Sequence, residues 1–315
     1  MINTSSKLHK KLRCALGEFR KDYLLYLLVV PGILYFVLFK YVPLYGITIA
    51  FREFTIFKGY SDAPWVGLAV FQKMFSLAAF DRAFVNTIII SLAKLLWAFP
   101  APILLSILIN EVVHARLKKA IQTSLLLPHF VSWVIIGGIF YTLLSPNSGL
   151  IKQVADWLGY QGEIVNVLGD KRYFRSFLVI SSIWKEMGYG TIIYLAAITG
   201  IDQELYEAAR VDGAGKLAQA WHVTLASIRP MIVLMLILRV GALLDAGFDQ
   251  IFVLTNPLVN EVAEILDTYV YRIGVVQQNY SLGTAVGLFK SLIGLGLVLL
   301  TNWIARKIDE DSALI

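Results

Sequence analysis

The sequence predicts an all-α membrane protein with six transmembrane helices. Two observations carry that expectation. Of the 315 residues, 57% are hydrophobic and only 16% are charged, whereas a soluble domain carries about a quarter charged residues. The apolar residues are also gathered into runs, and about 20 residues of helix cross a hydrocarbon core. Such dilute charge excludes a disordered chain. A single cysteine, Cys14, excludes an intrachain disulfide framework and a thiolate metal cluster.

The six runs lie at roughly 23–43, 86–109, 121–144, 176–199, 231–254 and 283–304. The first exceeds the roughly 7–15 apolar residues of a signal peptide, and no small-residue cleavage site follows it. It is therefore expected to stay as a first span. The chain divides into a basic segment at 1–22, a six-helix membrane bundle at 23–304 and a tail at 305–315. With both termini in the cytoplasm, the inner connections hold 14 lysines and arginines and the longer outer ones hold 9. Basic residues favour the cytoplasmic side, so this orientation is expected. The N-terminal cluster Lys7, Lys10, Lys11, Arg13, Arg20 and Lys21 is its strongest element. Beside a first span, that cluster is an orientation signal and not a nucleic-acid patch.

The outer connections at 52–83 and 145–175 are rich in aromatics, among them Phe54, Phe57, Trp65, Trp157 and Tyr160. They are too apolar for solvated linkers and are expected to pack on the membrane face or on a partner. No internal repeat is evident.

Among the cytoplasmic stretches only 200–229 is long and internally patterned. Asp202 is a good N-cap, and with Glu204 it suits the positive end of a helix dipole. Gly213 suits the position after a helix end, where a positive φ is needed. A short helix over about 203–212 follows. Leu205, Ala208 and Ala209 share one face, and the two alanines allow a partner backbone to come close. A second amphipathic pattern runs through Leu217, Trp221, Leu225 and Ile228, and Pro230 opens the fifth run. This layout looks built to dock into another protein.

Glu207-Ala208-Ala209, three residues and then Gly213 resembles the EAA loop of ATP-binding-cassette (ABC) importer permeases. Asp212-Gly213-Ala214, Trp221, Val223-Thr224-Leu225 and Pro230 match the longer form of that pattern. Ala226 departs from its usual proline and Ala220 from a frequent phenylalanine. Leu127-Pro128-His129-Phe130-Val131-Ser132-Trp133 and Gly247-Phe248-Asp249-Gln250-Ile251-Phe252 are similar to the polysaccharide-type (LplB-like) sugar permeases. Asn256-Pro257, Asp267-Thr268-Tyr269-Val270-Tyr271, Phe99-Pro100-Ala101-Pro102 and Asn110-Glu111 extend the likeness. Members of that subgroup import oligosaccharides, including alginate- and pectin-derived ones. The resemblance implies a type I importer fold in a bacterial cytoplasmic membrane and a sister permease. It also implies two ATPase subunits that bind ATP and Mg, and an extracytoplasmic solute-binding protein. It assigns coupling to the ATPase to Glu207, Ala208, Ala209, Asp212, Gly213 and Ala214.

No catalytic chemistry is expected in this chain. Gly213-Ala214-Gly215-Lys216 fails as a phosphate-binding loop, because Arg210 stands for its first glycine and Leu217 for its Ser/Thr. The histidines His9, His114, His129 and His222 lack metal-ligand spacing. Ionisable groups inside spans are costly and usually face a bundle interior or water. Lys94, Arg239, Asp245, Asp249 and Lys290 qualify, with Asp245 and Asp249 at i and i+4 on one helical face. A sugar pathway suits Asp245 and Asp249 as hydroxyl acceptors, and Trp184, Tyr189 and Tyr194 as stacking platforms. Structural pairing is the competing role for these residues. Gly283 and Gly287 suggest close helix packing. An ion-coupled secondary transporter is the alternative function, opposed by the lack of any visible inverted repeat or paired broken helices.

Overall fold

A computed structural model describes residues 23–57, 59–160 and 162–308. The basic cluster at 7–21 and most of the expected tail lie outside the described residues.

All named elements among the described residues are helical. Helix α1 spans Tyr23–Phe51, and α3 and α14 span Ala78–Asn110 and Tyr280–Ile308. These three are long and apolar enough to cross a membrane. Two bent pairs would add two crossings. In the first, α4 (Ala115–Phe130) and α5 (Trp133–Leu144) meet at 97°. The second joins Lys216–Ser227 (labelled α9 below) to Arg229–Gly241 (α10) at 62°. Helix α7 (Lys171–Thr199) is long enough, but Lys171, Arg172, Arg175, Lys185 and Glu186 interrupt its apolarity. Short helices fill the outer connections: α2 (Ala69–Phe75) and α6 (Leu150–Trp157).

Helix α7 is the organising rod. It packs along both halves of α3 and along α4, while α14 packs against α10 and the end of α1. Phe174 and Leu178 bury one end of α7 with Ile90, Ile251 and Leu254. Tyr194 and Ile198 bury the other with Ile103, Tyr206 and Ile228. The core therefore follows α7 from one face of the bundle to the other.

Two expected runs are not continuous. The third breaks at Val131–Ser132: Pro128 sits in the last turn of α4, and the Ser132 side chain accepts from the Ile135 amide to cap α5. The fifth breaks after α10, and the chain resumes as α11 (Phe248–Leu254) behind Gly247 at φ +96°. Asp245 and Asp249 consequently do not share a helical face, because Asp245 lies in the non-helical segment that ends at Gly247 and Asp249 lies in α11. Beyond α11 the chain folds back through α12 (Asn260–Ala263) and α13 (Leu266–Val270). Asn86 of α3 donates to the Glu261 and Glu264 carbonyls, and Arg175 of α7 donates to the Asn86 amide oxygen and the Val262 carbonyl. These bonds satisfy the irregular backbone inside the bundle, where water does not.

Gly283 lies against Gly274 and Gly294 against the Gly241 carbonyl, so two of the α14 glycines serve packing within the chain.

Candidate functional site

The region 200–229 folds as its local chemistry dictates. Helix α8 runs Gln203–Val211, and the Asp202 carboxylate accepts from the Glu204 amide at 3.0 Å. At the other end the Ala214 amide donates to the Ala209 carbonyl at 2.8 Å and the Gly213 amide to the Arg210 carbonyl at 3.0 Å. This pair of bonds is a Schellman closure, and it needs Gly213 at its φ of +82°. Helix α9 then turns the chain towards α10, with Pro230 in the first turn of α10.

Packing of Tyr206 and Ile228 against Ile103, Tyr194 and Ile198 holds this hairpin to the bundle. Tyr206 is 9% exposed, and its hydroxyl bonds that of buried Thr224 at 2.9 Å. Lys216 pairs with Glu111 at the end of α3 at 2.6 Å. The opposite side is open. Glu207, Ala208, Asp212 and Gly213 are exposed, while Ala209 and Ala214 are half-buried. Leu205, Val211, Leu217 and Trp221 are also exposed, so the expected apolar pattern turns outward at Leu217 and Trp221 and inward only at Leu225 and Ile228.

The residues considered for a pathway are scattered over several environments. Asp245 is exposed and pairs with Lys290 of α14 at 2.5 Å, and Lys290 also holds Asp267 at 2.5 Å. Asp249 is exposed in the first turn of α11. Trp184 is exposed beside Phe140. Tyr189 stacks face to face on His129, with centroids 4.5 Å apart. Tyr194 is 3% exposed and packs in the core, yet with Tyr189, Glu186 and Arg239 it lines a cavity of about 210 Å³.

Sequence reasoning missed Lys185 and Glu186, although both charges sit inside the fourth apolar run. Lys185, 5% exposed, donates to the His129 carbonyl at 2.7 Å. Lys94, 4% exposed, donates to the Ala246 carbonyl at 2.7 Å and to the Gln250 side chain at 2.5 Å. Each lysine covers carbonyls freed where a helix breaks. Gln250 in turn donates to the Leu178 carbonyl and the Ser181 hydroxyl. Lys94 thus has a structural role, and among the described residues two of the six expected runs, the third and the fifth, are broken.

The family model of binding-protein-dependent transport system inner membrane components matches residues 75–310. The chain is similar to Protein LplB of Bacillus subtilis (strain 168), with 44% identity over 297 residues, 94% of this chain and 93% of the relative. It is also similar to the polygalacturonan/rhamnogalacturonan transport system permease protein YteP of the same organism. There the identity is 45% over 306 residues, 97% of this chain and 94% of the relative. Among solved structures it matches a chain of a bacterial alginate ABC transporter in complex with an alginate pentasaccharide-bound periplasmic protein. The TM-score is 0.84 and the identity 38%, with 93% of this chain and 97% of that one covered.

Proposed function

This chain belongs to the family of binding-protein-dependent transport system inner membrane components, and from that premise we propose that it passes an oligosaccharide through the membrane. It is a permease subunit of an ABC importer, integral to the membrane. A solute-binding protein delivers the saccharide from outside, and a sister permease completes the channel. Two ATPase subunits bind ATP and Mg on the cytoplasmic side and supply the energy. The chain crosses the bacterial cytoplasmic membrane six times, counting α7 and each bent pair as crossings, with both termini inside. It holds no nucleotide and takes no nucleic acid.

One observation carries this reading beyond the family. The hairpin at 200–229 is fixed to the bundle on one side and presents Glu207, Ala208 and four large apolar residues on the other. A rigid, small-faced element suits a lever that an ATPase moves. Names of relatives support the saccharide, since one carries polygalacturonan or rhamnogalacturonan and another structure is an alginate transporter. The ion-coupled alternative would leave the hairpin without a purpose.

The test is purification of the tagged chain from native membranes in mild detergent, with mass spectrometry of what accompanies it. A cassette ATPase and a second permease are expected. Reproducible recovery of a folded, monodisperse chain alone would reject the importer assembly.

A further inference from the structure

Arg239 is a charge the fold leaves unanswered. It lies ten residues after Arg229, so it sits about 15 Å along α10 at 1.5 Å per residue. That is roughly half the hydrocarbon thickness of about 30 Å. Such a group is costly and usually faces a partner or water. Lys94, Lys185 and Lys290 each have hydrogen-bond partners within the chain. Arg239 has no hydrogen bond or ion pair among the described residues. Its place in the last turn of α10 eases the charge but gives it no partner.

The cavity beside it has the groups a charged sugar needs. Its volume of about 210 Å³ is lined by Ser182, Glu186, Tyr189, Tyr194, Met235 and Arg239. Ligand pockets for drug-sized molecules span about 300–1,000 Å³, so this one suits a single ring of a longer chain. A guanidinium presents a planar fork that matches a carboxylate. Glu186 does not pair with Arg239, and its side chain is 48% exposed, with His129 Nδ1 3.5 Å away. Its oxygens are free to accept from hydroxyls. The stacked His129 and Tyr189 rings add a flat aromatic surface. Glu186 and Arg239 are the charged groups among its lining residues.

We propose that this cavity is a saccharide subsite within the membrane and that Arg239 reads the carboxylate of a uronic acid unit there. The proposal rests on the oligosaccharide reading above and narrows it to acidic saccharides. The competing occupant is a carboxylate of the sister permease.

The test uses the full complex in proteoliposomes with its binding protein at saturation. Uptake of trigalacturonate and trimannuronate is compared with that of their methyl esters. In wild type, esterification is expected to slow uptake of the transported trimer at least about tenfold, because a site built for a polar group rejects its absence. In Arg239→Gln the acid is expected to slow by about as much, and the penalty for esterification to shrink below about threefold. Arg239→Lys is expected to fall between, keeping charge without the fork. An equal ester penalty in wild type and Arg239→Gln would overturn the assignment and leave acid selection to the binding protein. Loss of the sister permease from purified Arg239→Gln complex, with recovery in Arg239→Lys, would overturn it too and assign Arg239 to the permease contact. A wild-type complex that takes up neither acid nor ester but does take up a neutral oligosaccharide would overturn the subsite alone, and one that takes up no oligosaccharide at all would reject the oligosaccharide reading and the subsite with it.

Discussion

At Gly213 the backbone makes a demand that a side chain would have to meet. Its φ is +82°, and a Cβ built there would touch nothing within 4 Å. A substitution therefore costs through conformation alone, about 1–2 kcal/mol for an L-residue such as alanine and more for a β-branched one. If the segment at 203–214 is the lever proposed above, it needs its Schellman closure, so Gly213→Val is expected to abolish ATP-driven uptake and Gly213→Ala to reduce it. Membrane abundance should stay at the wild-type level in both. Glu207→Lys, which reverses a charge on the exposed face, should behave like Gly213→Val. Uptake in membrane vesicles, normalised to abundance, checks this, and wild-type uptake in Gly213→Val and Glu207→Lys would remove the hairpin from coupling. Asp202 and Gly213 were legible in the sequence because a cap acts within a few residues. Tyr206 was not, because its partner Thr224 lies 18 residues away and only the folded hairpin brings their hydroxyls together.

At the scale of elements, the two broken helices explain the buried lysines. A helix end leaves four carbonyls without intrahelical partners, and in a bilayer no water answers them. Lys185 covers the end of α4 and Lys94 covers the gap before α11, each from a neighbouring helix. Removing either ammonium strands a buried carbonyl, at a cost of about 1–3 kcal/mol. Lys94→Met and Lys185→Met are accordingly expected to unfold at lower temperature in detergent. A melting profile like wild type for both would show that the breaks hold themselves. Apolar windows found the three long apolar helices α1, α3 and α14, since burial in lipid depends on composition. They joined α10 to α11 because the residues at 242–247 are mostly apolar, although α10 ends at Gly241 and α11 starts only after the positive φ of Gly247. The third break carried a visible signal in Pro128 and Ser132, and the run's apolarity outweighed it.

At the scale of the whole molecule, the question is what covers the apolar surface that the chain exposes. None of the residues Tyr23–Phe36 is buried, and an apolar helix of that kind is at home in lipid. The hairpin at 200–229 differs, because it is a short, capped, polar-edged element that lipid does not cover. Val211 and Leu217 are each 89% exposed and Trp221 is 68% exposed. Fully burying one such side chain is worth about 1.5–3 kcal/mol, so these residues together can supply much of a docking energy. Protein is the cover that the importer reading demands. Adding the ATPase subunits to the purified permease pair should blue-shift the emission that Trp221→Phe removes. Leu217→Glu should weaken capture of the ATPase by at least about tenfold, since it exchanges buried apolar area for a buried charge. Capture at wild-type strength by Leu217→Glu, with Trp221 emission unmoved, would place the ATPase contact elsewhere on the chain. The exposed face would then need another partner, because water alone leaves so large an apolar patch unstable against association.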